Sequence, residues 1–236
     1  MVTWIPRGLT ALALIAVSLL SPAAGPARAS EVVLLPDALG QFTVEAEVRD
    51  GYTPGAFPHW NAGLDPDDGC DTRGEVLLAE AVEAPAVGAG CAIRGGAWVS
   101  YYDGQRVGDA AALEVDFLVP PAEAWDSGAR NWSAARREAY ANDQGAEASL
   151  VAVTARARRA KADQDPADWL PTAQGQYCRY LSEWIATKLR WGLSVDEVEL
   201  ETLKTFADGP CEETVIVYTP ARGGPPPPGP APRGGR

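Results

Sequence analysis

The sequence predicts an α+β fold with one strand–helix–strand–helix unit near its middle, on three observations. Two short apolar runs, Leu113–Val119 and Leu150–Val153, have strand composition, and polar or charged residues follow each. Between them Trp132–Asn142 reads as a helix, with Ser133 placed to cap its N-terminus. Beyond them, Tyr177, Tyr180, Leu181, Trp184, Ile185, Lys188 and Trp191 recur at helical spacing, so helices flank the central unit.

Taken in order, residues 1–29 read as a signal peptide. Arg7 gives a positive start, Leu9–Leu20 is an apolar run short for a membrane span, and Ala27-Arg28-Ala29 offers a cleavage site before Ser30. The expected product is secreted, with no membrane segment in the mature form, and residues 30–218 make one domain. Phe42, Val44, Ala46 and Val48 alternate with Thr43, Glu45, Glu47 and Arg49, the pattern of a half-exposed strand. Residues 51–74 are rich in Gly, Pro and Asp and read as an ordered loop, held by Cys70 and pinned by Phe57, Trp60 and His59. Glu75–Glu83 is compatible with a short helix or a strand. Cys91–Ile93 and Ala97–Tyr102 read as arms of one hairpin turning through Arg94-Gly95-Gly96.

Gly192 lies where a glycine stops the helix that ends near Trp191. Ser194 and Glu197 have capping-box spacing for a last helix, whose apolar face would be Val198, Leu200, Leu203 and Phe206, and Gly209-Pro210 ends it. The Pro/Gly-rich stretch 219–236 cannot bury a core and reads as a disordered tail.

The chain carries 20 Lys and Arg against 32 Asp and Glu, a net charge of −12. The first 29 residues hold Arg7, Arg28 and no acid, so the exported part is more acidic still. Such a balance opposes non-specific attraction to nucleic acid, leaving room only for weak contact through a local patch. No protein partner is legible. In an exported chain, four cysteines without a Cys-x-x-Cys, and with His59 as the only histidine, suggest disulfides rather than zinc. Sequential pairing, Cys70–Cys91 and Cys178–Cys211, closes two compact loops.

The stretches LEVDFLVPPAEAW (Leu113–Trp125), ARARRAKAD (Ala155–Asp163) and DPADW (Asp165–Trp169) carry a resemblance, joined by GCDTRGEVLLAE (Gly69–Glu80) and YLSEWIATKLRWGLSVD (Tyr180–Asp196). They resemble the HNH-type nuclease domain at the C-terminus of GmrSD restriction enzymes, and above all its secreted relatives. That family's pattern runs Asp-His-Val-Val-Pro-Leu-Ala-Glu-Ala-Trp, then Ser-Asn-Arg-Ser-Lys-Gly-Asp, then Asp-Pro-Ala-Glu-Trp. The resemblance implies a ββα-metal core, hydrolysis of phosphodiester bonds and a divalent metal, magnesium or manganese. In that chemistry a histidine takes the proton of the attacking water, an asparagine orients it, and the metal stabilises charge at the scissile phosphate.

Aligned on the pattern, Asp116 is kept, Phe117 stands at the histidine and Arg158 at the asparagine. A phenyl ring can neither accept a proton nor bind a metal, so the resemblance implies an exported nuclease homologue with impaired catalysis. The alternative is an active nuclease with a substitute base, for which His59 in FPHW would have to fold over the site. Arg156, Arg158, Arg159 and Lys161 form a basic island. It would meet phosphate, or else pair with Asp163, Asp165 and Asp168. The relatives also carry a calcium-loop pattern, Asp-x-Asp-x-Asp-Gly-Cys-Asp-Thr-Arg-x-Glu. Here Asp68, Gly69 and Glu75 keep the fifth, sixth and twelfth places, while Leu64 and Pro66 hold the first and third. Calcium bound by an adjusted loop, and a solvated acidic turn, are both open.

Overall fold

The computed structural model describes residues 28–146 and 148–222. Residues 1–27 of the expected signal peptide (1–29) and residues 223–236 of the expected tail (219–236) lie outside the described residues. The chain is a mixed α+β structure in which the strands form small two-stranded sheets.

Strand β1 (Glu31–Leu34) leads directly into helix α1 (Leu35–Leu39), with Pro36 in its first turn. The expected strand at Phe42–Val48 does not form. That segment is extended, but its one bridge joins Val44 to Val195, and residues 43–47 are exposed. Its alternation reflects a chain lying along the surface with no partner strand. Helix α2 (Thr72–Ala79) settles the reading left open for Glu75–Glu83. Asp71 caps it by accepting from the amide of Gly74 at 2.7 Å.

The expected single hairpin is two. Strand β2 (Ala86–Gly88) pairs with β3 (Ala92–Arg94), and β4 (Trp98–Ser100) pairs with β5 (Gln105–Val107). Gly95 and Gly96 both have positive φ and separate the hairpins rather than turning one. A Cβ on Gly96 would come within 3.0 Å of Trp98, whose indole donates to the Leu77 carbonyl at 2.6 Å.

The central unit forms as read. Strand β6 (Leu113–Phe117) pairs antiparallel with β7 (Leu150–Thr154), Leu113 opposite Thr154 and Phe117 opposite Leu150. Between them run α3 (Pro121–Asp126) and α4 (Ala134–Ala141), the latter capped by Ser133 on the amide of Arg136. Helix α5 (Ala155–Lys161) follows β7 without a loop, because the Thr154 hydroxyl caps it on the amide of Ala157. Both faces of the β6–β7 pair are covered, so Val115, Leu118, Val151 and Val153 are all buried.

Helix α6 (Tyr177–Trp191) ends at Gly192, whose φ of 66° lets Leu193 return its amide to the Lys188 carbonyl. Helix α7 (Glu197–Ala207) is capped by Asp196, not by Ser194, which instead donates to the Ser127 carbonyl. Its inward face holds Glu199, Leu203 and Ala207, and Val198 points to solvent at 67% exposure. Strand β8 (Val215–Tyr218) closes the fold against β1, joining the two ends of the domain. Pro220 and Ala221 remain buried, and the Ala221 amide donates to Arg190, so the packed domain runs past residue 218.

The cysteines pair sequentially, Cys70–Cys91 and Cys178–Cys211. The second pair ties α6 to the segment after α7. Replacing Cys178 and Cys211 together by serine should lower stability by about 2–4 kcal/mol, through the freedom regained by the unfolded chain. Urea unfolding of the double variant against the parent measures this.

Candidate functional site

Asp116, near the end of β6, is 4% exposed and is held from several sides. Its Oδ2 accepts from Lys161 Nζ at 2.8 Å and from the Tyr102 hydroxyl at 3.0 Å. Its Oδ1 faces Arg158 Nε at 3.8 Å. Lys161 is fully buried at the end of α5 and also donates to the Phe117 carbonyl at 2.9 Å. Burial lowers the Lys161 pKa, and the Asp116 charge works against that shift. Burial, with Asp116 adjacent, pushes the Tyr102 hydroxyl well up. Lys161 is therefore not the phosphate contact expected of it; its ammonium is spent inside the fold. Tyr102 belongs to this centre although no motif marked it.

Asp116 and Phe117 are neighbours on β6, and Arg158 of α5 lies beside Asp116. Arg158 also pairs with Glu114 at 3.3 Å, and Arg159 reaches Glu114 at 4.0 Å. The arginines thus pair back onto β6, not onto the acids that follow the helix. Arg156 and Arg159 stay exposed. A divalent cation at Asp116 does not fit these residues. One oxygen carries a lysine and a tyrosine, the other faces a guanidinium, and residue 117 supplies a hydrocarbon ring. Among the described residues, the acid groups close enough to share an ion do not include Asp116.

Phe117 is covered by the FPHW loop. Trp60 stacks on it, with ring centroids 5.6 Å apart and planes 15° apart, and His59 meets it edge-on at 5.6 Å. Trp60 takes a left-handed φ of 61°, a strained conformation held by its surroundings. Phe57 is buried against Tyr52, Trp125 and Tyr140. Asn142, just after α4, accepts from the Asn61 amide and donates to the Pro58 carbonyl. The loop therefore does fold over the centre and brings in His59, whose Nδ1 lies 2.9 Å from the Phe57 carbonyl. A proton on Nδ1 would leave Nε2 as an acceptor on an exposed ring.

Asp68 lies in the loop before α2 and Glu75 in the first turn of that helix, and both carboxylates bond the loop's own backbone. Both oxygens of Glu75 accept backbone amides, from Leu64 at 2.7 Å and Asp65 at 2.9 Å, and Asp68 accepts from the Cys70 amide at 2.6 Å. Burial opposes the Glu75 charge, but those amides more than offset it and lower its pKa. Neither residue belongs to a group of acids close enough to share an ion among the described residues.

Of a second polar centre, periodicity places only Lys188, on the inward stripe of α6. Lys188 on α6 is fully buried and donates to Glu123 of α3 at 2.8 Å, Glu199 of α7 at 2.5 Å, Ser127 at 3.0 Å and the Ser194 carbonyl at 3.1 Å. Burial works against its charge, but the two carboxylates more than compensate and raise its pKa. One ammonium cannot neutralise both acids. Burial opposes the Glu123 charge, yet Lys188 holds that group low; burial and the Glu123 charge push Glu199 up to about 7. This network forms part of the floor of an open cleft of about 950 Å³, lined by acids that include Glu47, Asp165 and Asp196. Glu47 is exposed overall, but partial desolvation of its carboxyl and the charge and hydrogen bond of Glu123 raise it to about 7.

The disulfide-bonded α+β fold places the chain among secreted proteins, and among the described residues no helix is long and apolar enough to cross a membrane. The chain is 36% identical over 158 residues to a protein of Arthroderma benhamiae described as an uncharacterized secreted protein, a match spanning 67% of this chain and 75% of that one. The chain belongs to the family of that secreted protein and is itself secreted. No family model matches it, and no solved structure does.

Two predictions follow from the buried charges. Lys161→Met leaves Asp116 buried without its cation and should cost about 3–5 kcal/mol, part of which returns when Asp116→Asn is added; a double-mutant cycle in urea measures both. Glu199 titrates higher folded than unfolded, so the folded chain keeps a proton that the unfolded chain releases between about pH 4.5 and 7. Its contribution to stability is present below that window and is lost as pH rises through it. Glu199→Gln should flatten the fall in stability from pH 5 to pH 8, which unfolding curves at both pH values test.

Proposed function

We propose that the chain is an exported homologue of the HNH endonucleases, with a ββα-metal-type core, whose hydrolytic centre no longer works. The β6–β7 pair leading without a loop into α5 supports that core. The observation that carries the functional reading is Arg158 beside Asp116. In the resembling family an asparagine stands there and a lysine stands at Lys161, so Lys161 is part of the shared pattern and Arg158 is the departure. Its guanidinium faces the Asp116 oxygen that Lys161 and Tyr102 leave free. A magnesium or manganese ion would meet like-charge repulsion there. Phe117, where the family has its base, is 7% exposed under Trp60 and cannot take a proton from water. Arg156 and Arg159 remain for phosphate, and in a chain of net charge −12 they support only weak, salt-sensitive nucleic-acid contact.

A second reading, an active metal-dependent nuclease with a substitute base, has one observation in its favour: the His59 ring lies against Phe117, with Nε2 available when Nδ1 carries the proton. Plasmid nicking by the mature protein with magnesium, manganese and calcium separates the two. The expected result is no cleavage above a mock preparation. Robust nicking lost in both Asp116→Ala and His59→Ala would establish the second reading instead.

The first reading also predicts a gain. Phe117→His and Arg158→Asn together restore a base and remove the repelling charge, and the double variant should regain magnesium-dependent nicking. Phe117→His alone should gain little, because Arg158 still faces Asp116. A folded double variant without nicking would show that the loss reaches beyond these two positions.

A further inference from the structure

A cleft of about 820 Å³, the size of a site for a small organic ligand, opens between α2, the β4–β5 hairpin and the start of α6. Neither Asp116 nor Phe117 lines it, so the cleft stands apart from the nuclease reading. Its floor is apolar, with Val76, Tyr101 and Leu150 buried there. Its rim is apolar too: Leu64, Val82 and Val99 line it and are 76%, 55% and 45% exposed. Three exposed apolar side chains from separate segments, gathered round one concavity, differ from the scattered ones that any surface carries.

The charge of the lining is one-sided. It holds four acids, Asp65, Glu75, Glu80 and Asp143, against one base, Arg179. Asp143 is neutralised by Arg190 at 2.7 Å. Arg179 donates to Glu183 at 2.8 Å, lies 4.1 Å over the Tyr101 ring and feels the charge of Glu80. Asp65 and Glu75 differ from these. The amides of Leu64 and Asp65 donate to Glu75, and the amide of Asp67 donates to Asp65. Amides fix a carboxylate without cancelling its charge. Burial opposes the Glu75 charge, yet its hydrogen bonds lower its pKa and keep it ionised. Among the described residues neither Asp65 nor Glu75 is ion-paired. One end of the cleft thus carries two uncompensated negative charges beside an apolar wall.

We infer that this cleft binds a cationic amphiphile, a small organic molecule with an ammonium head and an apolar body. The body covers Val76, Val82, Val99 and Leu150, and the head sits by Asp65 and Glu75. Other occupants fit less well. An anionic amphiphile would meet like charge at that end, and Arg179, which could receive its head, is already held by Glu183. A bare cation leaves the apolar wall uncovered. A second copy of this chain would bring the same acidic patch to itself across a two-fold axis. Water at the rim screens the head, so its charge adds roughly tenfold in affinity and the apolar body supplies the rest.

The test is calorimetric titration of the full exported chain with octyltrimethylammonium chloride below its micelle concentration. Sodium octyl sulfate and tetramethylammonium chloride, the head without the body, are the comparisons. The expected result is saturable binding of octyltrimethylammonium, roughly tenfold weaker binding of octyl sulfate and none of tetramethylammonium. Asp65→Asn, at an exposed position, weakens octyltrimethylammonium and not octyl sulfate. Ala79→Trp fills the cleft from an exposed position of α2 and abolishes binding of both. Val217→Ser, on the exposed face of β8, leaves binding intact. Absence of saturable binding at millimolar octyltrimethylammonium overturns the proposal. So does binding that survives Ala79→Trp, or that Val217→Ser lowers as much. Equal affinity for the two octyl compounds overturns the assignment to a cation.

Discussion

Lys188 is the constraint on which the packing of the C-terminal half depends. A fully buried ammonium is tolerated only when it is paired and hydrogen-bonded, so α3, α6 and α7 must present Glu123, Lys188, Ser127 and Glu199 to one point. That requirement fixes the place of α3, and α3 begins four residues after β6 ends with Asp116 and Phe117. The carboxylate excess around a single cation also separates the two glutamates in acidity and charges the floor of the cleft.

The same rule acts at Lys161, at the other end of the central unit. Helix α5 cannot shift without exposing its ammonium or stranding Asp116. Arg158, one turn earlier on α5, is therefore held beside that carboxylate. The centre around Asp116 is a packed ion-pair core roofed by Trp60 and His59. Its rigidity comes from charge pairing and aromatic contact, neither of which requires a metal.

Several elements were legible locally. The strands at Leu113 and Leu150, the helix capped by Ser133 and the stop at Gly192 each rest on signals within a few residues. Asp116, Phe117 and Arg158 could be placed because a strand end and a short helix keep their neighbours in sequence close in space. Glu47, Glu123 and Glu199 could not be placed. Periodicity sends charged residues outward, and only a buried partner from a distant helix reverses that. The apolar pattern turns Val198 inward, whereas in the fold Val198 is exposed and Glu199 is buried against Lys188.

The sequence by itself determined export, the presence of disulfides and the α+β class, since each depends on composition or on local order. The tertiary structure alone decided that β1 pairs with β8, that the Phe42–Val48 segment has no partner strand, that Lys161 is buried, and that His59 lies on Phe117. Those outcomes depend on which distant groups meet, and a buried charge takes whatever counter-charge the folded chain brings to it.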